Sequence, residues 1–172
     1  EPNRAPSEVL HIVNEAVELA EIELRRRHVR LSHYVAARLP QLMVDPILIE
    51  QVLINLMKNA AESIDNAGRP SDRRHVELRV VPRKVEGQDV IEFAVTDTGK
   101  GLPPETMGRL YEAFFSTKAE GMGIGLNLCR SIIESHAGRI EAQNLYNADE
   151  IVACRFSFWI PVQAAPLPEK PS

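Results

Sequence analysis

The chain has 172 residues, room for one domain with its own core. Its 44% hydrophobic and 26% charged residues are those of an ordinary soluble globular protein, and a net charge of −4 argues against a broad nucleic-acid or membrane surface. Cys129 and Cys154, the only two cysteines, lie in apolar surroundings and read as core residues in a reducing compartment; no apolar run could span a membrane, no signal peptide is visible, and the start at Glu1 without Met points to a piece of a longer protein.

In chain order, Ser7 reads as the N-cap of a helix running to about Arg27, with Val9, Ile12, Val13, Ala16, Val17, Ala20 and Leu24 along one side. Val29 to Val35 alternates apolar and polar residues and predicts a strand. Asp45 as N-cap, Pro46 at the first helical position and Gly68 at the end frame the strongest helix signal. Residues 65–74 form a polar loop. Strands over 75–85 and 90–97 make an antiparallel hairpin across Glu86 to Asp89. A short helix is expected over 103–114, then a glycine stretch, then a helix from about Leu126 to His136. A second hairpin follows, turning across Tyr146 to Glu150, and the proline-rich tail from 162 reads as disordered. About five strands and three helices, with hairpins instead of βαβ alternation, predict an α+β fold with helices layered on one face of a mixed sheet.

Three features carry chemistry. Gly121, Gly123 and Gly125 stand at alternate positions just before a helix. The first amides of a helix are unpaired and carry the positive end of its dipole, a setting that suits an anion. The stretch fits neither a Walker loop nor a dinucleotide fingerprint, and a mere flexible turn explains it equally well on its own. Next, Ile91, Phe93, Val95 and Asp97 share one strand face, so Asp97 brings a carboxylate to the core side, where it needs a donor. An amino group on a heterocycle such as adenine would serve, as would a simple Asx turn. Finally, Asn55 and Asn59 stack at i,i+4 opposite the apolar stripe of Ile49, Leu53, Leu56, Met57, Ala60 and Ile64. Asn is a poor mid-helix residue, and its neutral oxygen suits a Mg²⁺ already ligated by a triphosphate.

Taken in order, Asn55 to Ala60 ("NLMKNA"), Asp97 to Gly101 ("DTGKG"), Phe114 to Lys118 ("FFSTK") and Gly121 to Leu126 ("GMGIGL") resemble the N, G1, F and G2 boxes of bacterial sensor histidine kinases, of the nitrogen- and oxygen-sensor type. The resemblance covers roughly 29–161. It implies the two-layer α/β sandwich of the GHKL (Bergerat) ATP-binding fold, shared with gyrase, MutL and heat-shock chaperone ATPases. It also implies ATP and Mg²⁺ as cofactors. Asn59 would then coordinate Mg²⁺, and Asn55 would stand where the hydrolytic relatives place a glutamate base. Asp97 would bind the adenine amino group, Gly99 and Gly101 would give the base close access, and Lys118 in a lid over 102–121 would reach the terminal phosphate. Gly121, Gly123, Gly125 and Leu126 would line the phosphates.

The domain layout implied is a helix or linker of the dimerisation region over 1–28, the ATP-binding domain over 29–161 and a tail over 162–172; the N-terminal helix belongs either to this domain or to the end of that helical region, and its apolar stripe needs a partner in both cases. Two departures stand out. Ala153-Cys154 replaces the Gly-Thr common before the last strand's Phe, and none of the histidines at 11, 28, 33, 75 and 136 is followed by the acidic residue of a phosphoacceptor box. His136 reads as a cap or packing residue and His33 as a sheet-surface residue. The expected partners are therefore a histidine-bearing dimerisation domain of the same, homodimeric parent and a response-regulator receiver domain, with no nucleic acid and no membrane contact from this cytoplasmic piece. The rival readings are a hydrolytic clamp of the same fold and a non-catalytic nucleotide-binding or scaffold module.

Overall fold

The computed structural model describes residues 2–99, 101 and 122–163, with the side chains of α3 from residue 125 onward. The order is β1 (Ala5–Ser7), α1 (Val9–Arg26), β2 (Arg30–Val35), β3 (Leu42–Val44), α2 (Pro46–Ala67), a 3₁₀ turn (Ser71–Arg73), β4 (His75–Val85), β5 (Gln88–Asp97), α3 (Met122–Ser135), β6 (Arg139–Asn147) and β7 (Glu150–Pro161). The segments expected as a short helix over 103–114 and as the disordered tail over 164–172 lie outside the described residues.

A five-stranded mixed sheet in the order β2-β4-β5-β7-β6 forms the floor. β2 runs parallel to β4, with Arg30 opposite His75, because α2 carries the chain across between them. The other pairs are antiparallel. The β4–β5 turn is tight: Glu86 and Gly87 both take positive φ, 51° and 80°, as the twist of a two-residue hairpin requires. The inward residues Leu78, Val80, Ile91, Phe93, Val95, Phe156, Phe158 and Ile160 face the helices, which all lie on that side. Phe93 and Phe158 sit opposite each other in register and stack with ring centroids 4.7 Å apart. The opposite face carries Glu77, Arg79, Glu92, Thr96 and Arg155.

α1 and α2 follow the apolar spacing of the sequence. Val9, Ile12, Val13, Ala16, Ala20 and Leu24 of α1 share one core with Ile49, Leu53, Leu56, Met57 and Ile64 of α2. The end signals of α2 also act as expected: the Asp45 carboxylate accepts from the amides of Ile47 and Leu48, and Gly68 takes the left-handed C-cap at φ 63°. His136 packs, 4% exposed. Its Nε2 accepts from the Asp45 amide at 3.0 Å, and its Nδ1 lies 2.8 Å from the Ile132 carbonyl, a pairing that fits a neutral ring protonated on Nδ1.

Two expectations are corrected. Ser7 does not cap α1: it ends β1, its Oγ donating to the Ala5 carbonyl at 2.8 Å, and Glu8 takes the N-cap position with no side-chain bond. β1 pairs antiparallel with β3 in a separate two-stranded sheet, and strands of three residues are too short to show a period. α3 starts at Met122 instead of Leu126, so Gly123 and Gly125 lie in its first turn instead of in a loop before it.

Candidate nucleotide site

Helix α2 is the common wall. Asn55, Asn59 and Ser63 follow one another at i,i+4 on its non-core flank, and eight residues from Asn55 to Ser63 span roughly 12 Å of helix. That is a length suited to a nucleotide lying along the helix.

At the C-terminal end of this stripe stands Asp97, the last residue of β5 and only 2% exposed. Its Oδ1 accepts from the Gly99 amide at 2.7 Å. Burial pushes the carboxyl up to about 7, against the pull of the Gly99 amide and the Arg69 charge. So the Asx turn and the buried inward carboxylate, alternatives in the sequence, coexist: one oxygen closes the turn. A Cβ at Gly99 would stand 2.2 Å from Ser63 Oγ and 2.8 Å from Asp97 Oδ1, so the α2 stripe and the strand end meet where only glycine fits. Gly101 sits at φ 74°, and a Cβ there would meet Asn144 Oδ1 at 2.5 Å. Opposite Asp97 on β7 is Cys154, whose thiol burial pushes up to about 12, with the Asp97 charge acting in the same direction.

At the other end a cavity of about 300 Å³ opens, lined by Glu23 and Arg27 of α1, Asn55, Lys58, Asn59 and Glu62 of α2, and Gly125 of α3. Asn55 Nδ2 lies 3.9 Å from Cys129 Sγ, a long contact with a weak acceptor. Asn59 Nδ2 is buried with no hydrogen-bond partner among the described residues, a donor open to an acceptor such as a phosphate oxygen. A Cβ at Gly125 would meet Asn55 at an ordinary 3.8 Å. Arg27 is tied to Asp65 at 2.6 Å and Glu23 at 3.1 Å, which leaves the exposed Lys58 as the less engaged cation on this wall.

The structure therefore gathers Asn55, Asn59 and Gly125 at one end of the Asn55–Ser63 stripe of α2 and Asp97 and Gly99 at the other. Gly123 lies in the first turn of α3, Leu126 is 3% exposed in the core, and Lys118 and Gly121 lie outside the described residues. Leu126 turns inward one position past Gly125, so it seats the helix in the core. Sequence reading missed Ser63, which the i,i+4 series from Asn59 could have revealed, and Lys58, next to Asn59. It also missed Glu23 and Arg27, which reach the cavity only through α1–α2 packing and leave no local signal.

Residues 44–164 match the family described as histidine kinase-, DNA gyrase B- and HSP90-like ATPase. The chain belongs to this family. Within it the chain is an ATP-binding catalytic domain of the sensor histidine kinase type. It is 36% identical over 146 residues to the sensor protein FixL of Bradyrhizobium diazoefficiens, covering 85% of this chain and 27% of FixL. It is 34% identical over 139 residues to the C4-dicarboxylate transport sensor protein DctS of Rhodobacter capsulatus, covering 81% of this chain and 20% of DctS. The chain thus spans less than a third of these relatives. Among solved structures, the catalytic domain of histidine kinase ThkA superposes with a TM-score of 0.71 at 26% identity, covering 92% of this chain and 95% of that one. Full-length ShkA in complex with AMPPNP shares the fold, with a TM-score of 0.74 at 23% identity over 97% of this chain and 33% of its own. The ATPase-like domain so identified has no helix among its described residues long and apolar enough to cross a membrane.

Proposed function

We propose that this ATP-binding domain holds Mg-ATP along α2 and donates the γ-phosphoryl group to a histidine on a separate dimerisation domain of its homodimeric parent, for relay to a response-regulator receiver domain. The observation that carries the reading is the pairing of two different ends of one helical stripe: a buried carboxylate beside Ser63, and a polar cavity at Asn55 and Asn59 with an amide that has no partner among the described residues. Asp97 recognises the adenine amino group through the carboxylate oxygen left over from the Gly99 turn, with Gly99 and Gly101 shaping the base end. Asn55, Asn59, Gly121, Gly123 and Gly125 take the phosphates, and Lys118 approaches the terminal one.

The donor set fits Mg²⁺ of the kind a triphosphate brings. No group of three or more His, Cys, Asp or Glu able to hold a metal occurs among the described residues, and the cavity wall offers the amide oxygens of Asn55 and Asn59 beside the carboxylates of Glu23 and Glu62. Asn59 would hold the ion, which when bound neutralises charge building on the transferring group. Asn55 cannot accept a proton, so water beside it is not activated, which favours transfer over hydrolysis. A neutral histidine nitrogen is nucleophilic without a strong base. Transfer then asks this chain mainly for positioning and charge.

We place the ATP-binding unit at 29–161, with 1–28 leading from the dimerisation region and 162–172 as a tail, in the cytoplasm. Calorimetric titration of the chain with a non-hydrolysable ATP analogue, with and without Mg²⁺, tests the reading. Binding that competes with ADP and tightens with Mg²⁺ supports it. A folded sample that binds nothing at millimolar nucleotide would reduce the domain to a scaffold.

A further inference from the structure

The loop after α2 holds a residue that the nucleotide reading does not use. Arg69 follows the Gly68 cap and reaches across to the strand end. Its Nε donates to the Thr98 carbonyl at 2.9 Å and its Nη2 to the Gly99 carbonyl at 3.2 Å. One guanidinium thus grips two consecutive carbonyls of the turn that carries Asp97, a geometry that needs the planar fork of arginine. Thr98 is held from the same loop: its hydroxyl donates to the Arg73 carbonyl and accepts from the His75 amide at 3.3 Å. The loop itself is pinned. Arg74 donates to the Arg69 carbonyl at 3.2 Å, to the Arg27 carbonyl at 2.6 Å and to the Asp65 carboxylate.

We propose that Arg69 is a positioning residue for base recognition, clamping the Thr98–Gly99 turn so that the free oxygen of Asp97 faces the adenine amino group as a carboxylate. This rests on the reading of Asp97 as the adenine contact. Without the clamp the turn could rotate and release the Gly99 amide from Oδ1. Arg69 also acts through its charge. The groups acting on the Asp97 carboxyl are its own burial, the Gly99 amide and Arg69 from the α2–β4 loop; the Cys154 thiol faces it across the β5–β7 pair, and of the two titratable neighbours Arg69 alone is cationic. An amino group donates, so it prefers the ionised carboxylate, whereas a carbonyl at the same ring position prefers the protonated one.

ADP and inosine diphosphate differ at that ring position and share their phosphates. The ratio of their affinities therefore isolates Asp97 from phosphate titration. The test measures both dissociation constants between pH 5.5 and 8.5 for the chain and for Asp97→Asn, Arg69→Gln and Arg69→Lys. In the unaltered protein, preference for ADP rises with pH through about 7, where Asp97 ionises. Asp97→Asn loses the preference by about tenfold or more, since the single Asn oxygen stays on Gly99 and an amide NH₂ faces the base. Arg69→Gln lowers the preference by about tenfold at pH 7 and moves the midpoint to higher pH, with inosine diphosphate binding nearly unchanged. Arg69→Lys restores the charge but not the fork, so it keeps the midpoint and still loses preference.

Survival of the ADP preference in Asp97→Asn would remove the adenine reading and this inference with it. Loss there, with preference and midpoint intact in Arg69→Gln, would overturn the role of Arg69 alone. Equal weakening of both nucleotides with an unmoved midpoint would make Arg69 a fold brace and also overturn it. If Arg69→Gln does not fold, Arg69→Lys decides: a wild-type preference there would end the proposal.

Discussion

The two ends of the Asn55–Ser63 stripe on α2 are built in opposite ways. Around Asp97 the protein has closed its own contacts: Gly99 satisfies one carboxylate oxygen, Ser63 fills the space beside Gly99, and Arg69 grips the turn. Around Asn59 the described residues leave a cavity, an amide without a partner among them and room for a Cβ at Gly125. On the proposed reading, the base end is closed by the chain's own contacts and the phosphate end is the one that a nucleotide would complete. Such a division suits a domain that recognises one part of its ligand by shape and the other by charge.

The comparison breaks most readily at Asp97. Asp97→Asn is expected to weaken the ATP analogue by about thirtyfold, the value of a hydrogen bond to a charged group, as read by calorimetry. The same variant sharpens the pH behaviour. In the folded chain Asp97 titrates near 7 because burial raises it, against about 3.9 when unfolded. The folded state therefore holds a proton that the unfolded state releases. The stability this contributes is complete below about pH 4 and is lost as pH rises through about 7. Chemical denaturation of Asp97→Asn should show that slope removed; an unchanged slope would mean that Asp97 ionises as freely folded as unfolded.

At the open end, Asn59→Ala should remove the extra affinity that Mg²⁺ confers, about tenfold, and leave metal-free binding close to normal. Retained Mg²⁺ dependence would place the ion elsewhere. The last comparison is one substitution made at both ends. Gly99→Ala forces a Cβ against Ser63 and Asp97 and should destabilise by about 1–3 kcal/mol. Gly125→Ala meets Asn55 only at 3.8 Å and lies in a helix, so it should stabilise by up to about 1 kcal/mol. Thermal melts of the two variants moving in the same direction would erase the contrast.

Much of this arrangement is legible in the residues. The α2 helix could be read from Asp45, Pro46 and Gly68 because caps are local chemistry. The inward place of Asp97 could be read because strand alternation is strict. The Asn55–Asn59 stripe needed only helical spacing. What stayed hidden depends on distance in the chain. β1 and β3 are three residues each and exist because they pair with each other, and the start of α1 shifted by one residue when Ser7 was drawn into β1. Arg69 looked like any loop cation, because its two acceptors lie on a turn brought alongside only by the folded sheet. Cys154 was legible as a core residue, but its place opposite Asp97 came from strand register.

That register has a kinetic side. The hairpins β4–β5 and β6–β7 each close through a short turn, whereas the seam that joins them, Phe93 against Phe158 and Asp97 against Cys154, unites residues far apart in the chain. Local pairings form first, and long-range closure is the slow entropic step. The proposed base contact, Asp97, lies on that seam. If the seam closes last, adenine would find its place only in the finished molecule, and capture of the nucleotide would report completed folding.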